Sequence, residues 1–141
     1  MTASLRPRAL RRVGALFAGL LVVVVLSTAA DALLHATGVY PPVGQPMSDA
    51  LFLLATAYRL VFGTLGSLVA ARLAPARPMW HAVALGAVGT VLALVGLLAT
   101  WNAGPSLGPR WYPVALVLTA LPCGWLGGRL AAAAARPHTA S

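Results

Sequence analysis

The chain has no lysine and no glutamate, only two acidic residues, and one cysteine in 141 residues. Each shortage closes off a class of function. Asp31 and Asp49 are the only carboxylates, so paired-carboxylate acid–base chemistry has almost nothing to work with. Cys123 stands alone, which rules out an intramolecular disulfide or a CxxC redox pair. No phosphate-binding loop, dinucleotide fingerprint or HExxH zinc motif occurs. The sequence therefore points away from an enzyme, and it implies no cofactor. Charge as a whole is also scarce, at 9% against roughly 25% in an ordinary soluble domain.

What is present is apolar: 60% of the residues are hydrophobic, the composition of a chain whose solvent is mostly lipid. All ten basic residues are arginine, and the net charge is +8. With abundant alanine, glycine and proline, this usage matches a GC-rich bacterial genome. The positive charge does not imply nucleic acid, because the arginines gather at the ends of apolar runs and not on one polar face. It fits the positive-inside bias of membrane proteins, with the lipid bilayer and its anionic headgroups as the nearby partner.

Residues 1–12, MTASLRPRALRR, read as a basic leader. An apolar run follows, from Val13 through Leu34, long enough for the ~20 residues of a span. A cleaved signal peptide is the competing reading, with small residues at Ser27–Ala30; the continuation of the apolar pattern past Ala30 favours a retained helix over about 13–35. The stretch HATGVYPPVGQPMSD, residues 35–49, is a loop broken by Gly38, Pro41, Pro42, Gly44 and Pro46. Ser48 or Asp49 is placed to cap a second helix over 49–73, which stops before Pro75. A short turn with Arg72, Arg77 and His81 leads to a third helix over about 79–101. The loop holding Gly104, Pro105, Gly108 and Pro109 leads to a fourth over about 112–134, and residues 136–141 form a short tail. Tyr40, Trp101, Trp111 and Tyr112 read as interfacial aromatics.

The expected fold is thus an all-α integral membrane bundle of four transmembrane helices. Arg6, Arg8, Arg11 and Arg12 in the leader, Arg72 and Arg77 in the middle turn, and Arg129 and Arg136 near the end mark the cytoplasmic side. Both termini are then cytoplasmic. Ala70-Ala71-Arg72-Leu73-Ala74 echoes Gly127-Gly128-Arg129-Leu130-Ala131, a match that small-residue bias alone can produce. All four helices carry small residues at helical spacing: Gly14 and Ala18 or Ala15 and Gly19; Gly63, Ser67 and Ala71 beside Gly66 and Ala70; Gly86, Gly89, Thr90 and Ala93; and Ala120, Gly124 and Gly128. Such spacing lets backbones approach closely in lipid and favours a tight bundle. It also leaves room for a homo-oligomer or another membrane protein as partner. Pro122 removes a backbone donor inside the fourth helix and is the candidate kink, more simply static than a hinge.

Arg59 is the sharpest candidate residue. It lies about 15 Å below the start of its helix at 1.5 Å per residue, and a charge at depth costs ~2.5–3.5 kcal/mol on insertion scales. Its side chain leans toward the helix N-terminus, which makes Asp31 the first partner and Asp49 the second. A structural Arg59–Asp31 pair is favoured over an anion or headgroup site built on Arg59 and Tyr58. Asp31 and His35, four apart, share a helical face and read as a hydrogen-bonded interfacial pair, since no further ligands make them a metal site. His81 falls at the opposite membrane face and His138 in the tail, so His35 and His81 cannot share one haem. Cys123 reads as a packing residue with no base beside it.

The segments HATGVYPP, YRLVFGTLGSLVAARLAP, RPMWHA and GPRWYPVALVLTALPCGWLGGRL, spread between Asp31 and Leu130, resemble a group of small bacterial inner-membrane proteins of unknown function. The resemblance implies four helices in the inner (cytoplasmic) membrane and carries no activity, substrate or catalytic residue. The function expected from the residues is that of a non-enzymatic accessory or scaffold protein. The alternative is a small transporter or permease-like protein using Arg59 as its site and Pro122 as a hinge. A membrane enzyme or redox subunit ranks last.

Overall fold

The computed structural model describes residues 5–136, and the expectations placed on His138 and on most of the tail lie outside the described residues. Four helices account for nearly all of them: α1 (Leu5–Ala36), α2 (Asp49–Leu73), α3 (Pro78–Thr100) and α4 (Trp111–Ala134), with a 3₁₀ turn at Pro105–Leu107. Each of the four is long and apolar enough to cross a membrane. The chain is a multi-pass membrane protein with an all-helical fold among its described residues.

The helix boundaries follow local chemistry. Ser48 is the N-cap of α2 and holds extended backbone, but its side chain makes no cap bond; its carbonyl accepts from Leu51 and Phe52 instead. Pro78 opens α3, where a missing N–H costs nothing. One boundary departs from the sequence reading. The basic leader is not separate from the first span, because α1 starts at Leu5 and not near Val13. Alanine, leucine and arginine are good helix formers, and Pro7 falls in the first turn, where proline is tolerated. The arginines of the leader therefore ride on the first turns of the transmembrane helix. In α4 the helix runs without a break through Pro122.

The helices alternate in direction, so two ends can be distinguished. One end gathers Arg12, Arg77 and His81 around a shared cavity. At the other, the Phe52 ring of α2 lies 5.0 Å from that of Tyr112 on α4, and the Trp111 indole donates to Asp49 across 3.4 Å. α2 is the hub: it packs on α1, α3 and α4, while α3 and α4 form the most extensive pair.

The interior is made mostly of small residues, with Tyr40, Phe52, His81 and Leu85 as the large exceptions. Ala15, Ala55, Ser67, Ala70, Ala71, Ala82 and Ala131 are buried, and large apolar side chains such as Phe17, Val25, Val95 and Leu118 point outward. That inversion suits lipid, which offers no hydrophobic drive for helix pairing and leaves close backbone packing to supply it. Gly19 of α1 meets Gly66 of α2, and Gly86 of α3 meets Gly124 of α4. Gly127 packs on Thr64 and Ser67 of α2. In α1 the pair that packs is Ala15 and Gly19; Gly14 faces open space. Threonine hydroxyls inside helices bond back to the carbonyl four residues earlier, as at Thr56, Thr64, Thr90 and Thr119, which keeps them satisfied where water is absent.

Candidate functional site

The residues singled out as polar islands in apolar helices converge on one cluster. Asp31 lies near the C-terminal end of α1, and Tyr58 and Arg59 lie in the first half of α2. An Arg59 guanidinium nitrogen donates to Asp31 Oδ2 across 2.6 Å. The Tyr58 hydroxyl donates to the other carboxylate oxygen, Oδ1, and accepts from Arg59 across 3.1 Å. Tyr40, from the loop after α1, is 4% exposed and brings its hydroxyl to 3.2 Å from that of Tyr58. With the Tyr58 proton committed to Asp31, Tyr40 is the donor in that contact. The same Tyr40 hydroxyl lies 3.4 Å from the Leu51 carbonyl. The Arg59 guanidinium also stands over two rings, 5.2 Å from Tyr58 and 5.8 Å from Tyr112 of α4.

One cation, one anion and two phenols thus close into a neutral, mutually bonded unit, with the Tyr112 ring beside the guanidinium. Both oxygens of Asp31 are occupied. Charge-assisted bonds of this kind are stronger than neutral ones, and in lipid they answer the cost of carrying Arg59 to depth.

Two sequence-read residues take other roles. His35 does not bond to Asp31. Its Nδ1 bonds to the Pro41 carbonyl across 2.9 Å, and its ring stands edge-on to Tyr40, centroids 5.3 Å apart. The cause is the reversal after α1: Gly38 takes φ +75°, a conformation that glycine adopts freely, and folds Tyr40 and Pro41 back over His35. Asp31 is meanwhile drawn to α2. Asp49 is not an Arg59 partner either, since it pairs with the Trp111 indole at the membrane edge.

Beside the cluster lies a cavity of about 430 Å³ lined by all four helices. Asp31 and Arg59 form its polar end, Ser27 and Thr28 add hydroxyls from α1, and Val24, Leu60, Leu92 and Leu116 make it apolar. It exists because α1 packs on α2 and, more lightly, on α3, and has no substantial packing on α4. Cys123 faces the same space. The arrangement offers a dipolar head and an apolar body to an amphiphile. It brings no base to Cys123 and, among the described residues, no set of three metal-ligating side chains.

The sequence reading placed Tyr40 and Tyr112 only in an aromatic belt and did not join them to Arg59. The available signal was the run Gly38-Val39-Tyr40-Pro41, a reversal tight enough to return an aromatic onto the helix ends. No protein-family model, curated protein or solved structure matches the chain.

Proposed function

We propose that this is a non-catalytic protein of the bacterial inner membrane, both termini cytoplasmic, that serves as an accessory or scaffold subunit for other membrane proteins or for copies of itself. Kinship with small four-helix bacterial membrane proteins belongs to the same proposal. The observation that supports it is the closure of the Arg59 cluster. Arg59 is spent on Asp31 and Tyr58, and Tyr40 completes the unit. Such a cluster fastens α1 to α2 and holds a fixed outer surface. The test is a double-mutant cycle in mild detergent and in cells. Arg59→Leu leaves a carboxylate without its cation and lowers stability by roughly 1–3 kcal/mol, with a matching fall in abundance. Asp31→Leu does the same, and the double substitution regains much of the loss. A double variant as unstable as the sum of the two singles defeats the clamp.

A second reading, a small carrier for an amphiphile, draws on the cavity whose polar end is Asp31 and Arg59. Its test is thermal stability against a panel of anions and lipid headgroups, because a ligand selective for the folded state raises apparent stability by RT ln(1 + [L]/Kd). A rise in the wild type that disappears in a stably folded Arg59→Lys variant would turn the reading to transport. A panel without any response would remove it.

A further inference from the structure

The cavity beside the Arg59 cluster follows α1 from Asp31 back to Leu20, about 16 Å at 1.5 Å per residue. Its volume of about 430 Å³ is near the low end for ligand pockets, and spread over that length it admits one hydrocarbon chain. Val24 of α1 and Leu92 of α3 line it and are 52% and 54% exposed, so it opens sideways into the acyl region of the bilayer.

The polar end keeps hydrogen-bonding capacity. The side chains of Asp31 and Arg59 are 34% and 26% exposed, and both line the cavity. A guanidinium carries five N–H donors; the cluster uses one toward Asp31 and one toward Tyr58. Each Asp31 oxygen accepts one bond within the cluster and retains a second lone pair. Nearby hydroxyls are uncommitted as well. Thr56, Thr64, Thr90 and Thr119 bond back to their own helices. Ser27 and Thr28, on the cavity wall, form no side-chain hydrogen bond among the described residues.

These groups specify the head of a ligand. Arg59 is already neutralised by Asp31, so an anion gains little there, and taking the arginine for itself would strand a carboxylate in the membrane. An ether only accepts and an ammonium only donates, whereas a hydroxyl does both. We infer that the cavity binds a single-chain amphiphile with an uncharged hydroxyl head, of the long-chain alcohol class. The hydroxyl accepts from a spare Arg59 N–H and donates to Asp31, and the chain lies along α1 toward Leu20. This rests on the carrier reading's premise that the cavity takes an amphiphile, and adds the charge and the hydrogen bonding of the head.

The experiment is titration of the full chain in phosphatidylcholine nanodiscs, read by thermal stability and by native mass spectrometry of retained ligand. The probes are hexadecanol, hexadecyl methyl ether (an acceptor with no donor) and hexadecyl phosphate (an anion). Hexadecanol is expected to bind best, about tenfold better than the ether, which forgoes a hydrogen bond to a charged group. Val24→Trp and Leu92→Trp fill the cavity from two positions exposed enough for the fold to tolerate them, and each should remove hexadecanol binding. Equal binding of alcohol and ether by the wild type overturns the hydroxyl bridge. Binding untouched by both tryptophan variants overturns the site. Hexadecyl phosphate bound in preference to the alcohol overturns the uncharged head and leaves the carrier reading standing. Hexadecanol bound as expected but not passed between vesicles upholds the site and removes the carrier.

Discussion

Gly19 of α1 and Gly66 of α2 meet backbone to backbone. A methyl group added to Gly19 would lie 2.5 Å from the Gly66 carbonyl oxygen, and one added to Gly66 would lie 2.6 Å from that of Gly19. Neither backbone can yield without separating the helices. Gly66→Ala is expected to destabilise the fold by about 1–3 kcal/mol. Gly14→Ala, five residues earlier and facing open space, should be neutral or stabilising by up to ~1 kcal/mol through helix propensity. Thermal unfolding in one detergent compares them directly, and equal stabilities would disprove the crossing.

The same contrast separates the faces of α3 and α4. A methyl on Gly124 would stand 2.8 Å from the Ala82 carbonyl, whereas one on Gly89 meets only the Ala120 Cβ at 3.5 Å. Gly89→Ala should therefore be neutral or stabilising by up to ~1 kcal/mol through helix propensity. Gly124→Ala should lose stability and loosen α3 from α4, visible as faster amide exchange in both helices.

Tyr58→Phe removes the donor to Asp31 and the acceptor for Arg59 and Tyr40 together, whereas Tyr40→Phe removes one contact with Tyr58 and one with Leu51. Interhelical hydrogen bonds in membranes average ~0.6 kcal/mol, so Tyr40→Phe should cost about that and Tyr58→Phe more. Because the hydroxyls share partners, the double variant should fall short of the sum. Strict additivity in chemical or thermal unfolding would mean that the two phenols act independently.

Gly108 combines φ +99° with the ring of Phe52 lying where a Cβ would go. Gly108→Ala meets both the backbone penalty, ~1–3 kcal/mol for the left-handed region, and the ring. Gly44, at φ +91° with nothing within 4 Å, meets the backbone penalty alone. The stability loss at Gly108 should exceed that at Gly44 and should shrink when Phe52→Ala is added.

The proposed orientation is tested with Cys123→Ser as background. Ser106→Cys should react with a membrane-impermeant maleimide on intact cells, and Ala76→Cys only after permeabilisation. The reverse pattern would invert the bundle.

Much of this was legible in the chain. Proline and glycine punctuation placed α2, α3 and α4 to within a residue at each end, because those signals act locally. The Arg59–Asp31 pair was legible because two acids leave an intramembrane arginine few partners. The start of α1 was missed because arginines read as solvent-loving leader residues are equally good helix formers. His35 was assigned to Asp31 from helical spacing, which carries no information about a loop folding back. His81 gave no sign of burial beyond its place four residues before Leu85, on the stripe that packs inward. The cavity beside Arg59 depends on how far α1 leans from α4, a tertiary distance that no local pattern encodes.

The bond between Asp31 and Arg59 spans helices that leave the ribosome in succession. The carboxylate emerges first, and its guanidinium follows 28 residues later. Neither helix is comfortable in hydrocarbon alone, since each carries an ion that the other neutralises. The α1–α2 hairpin therefore enters the bilayer at lower cost as a joined pair than as two separate spans, the bond offsetting the ~2.5–3.5 kcal/mol that each buried charge carries.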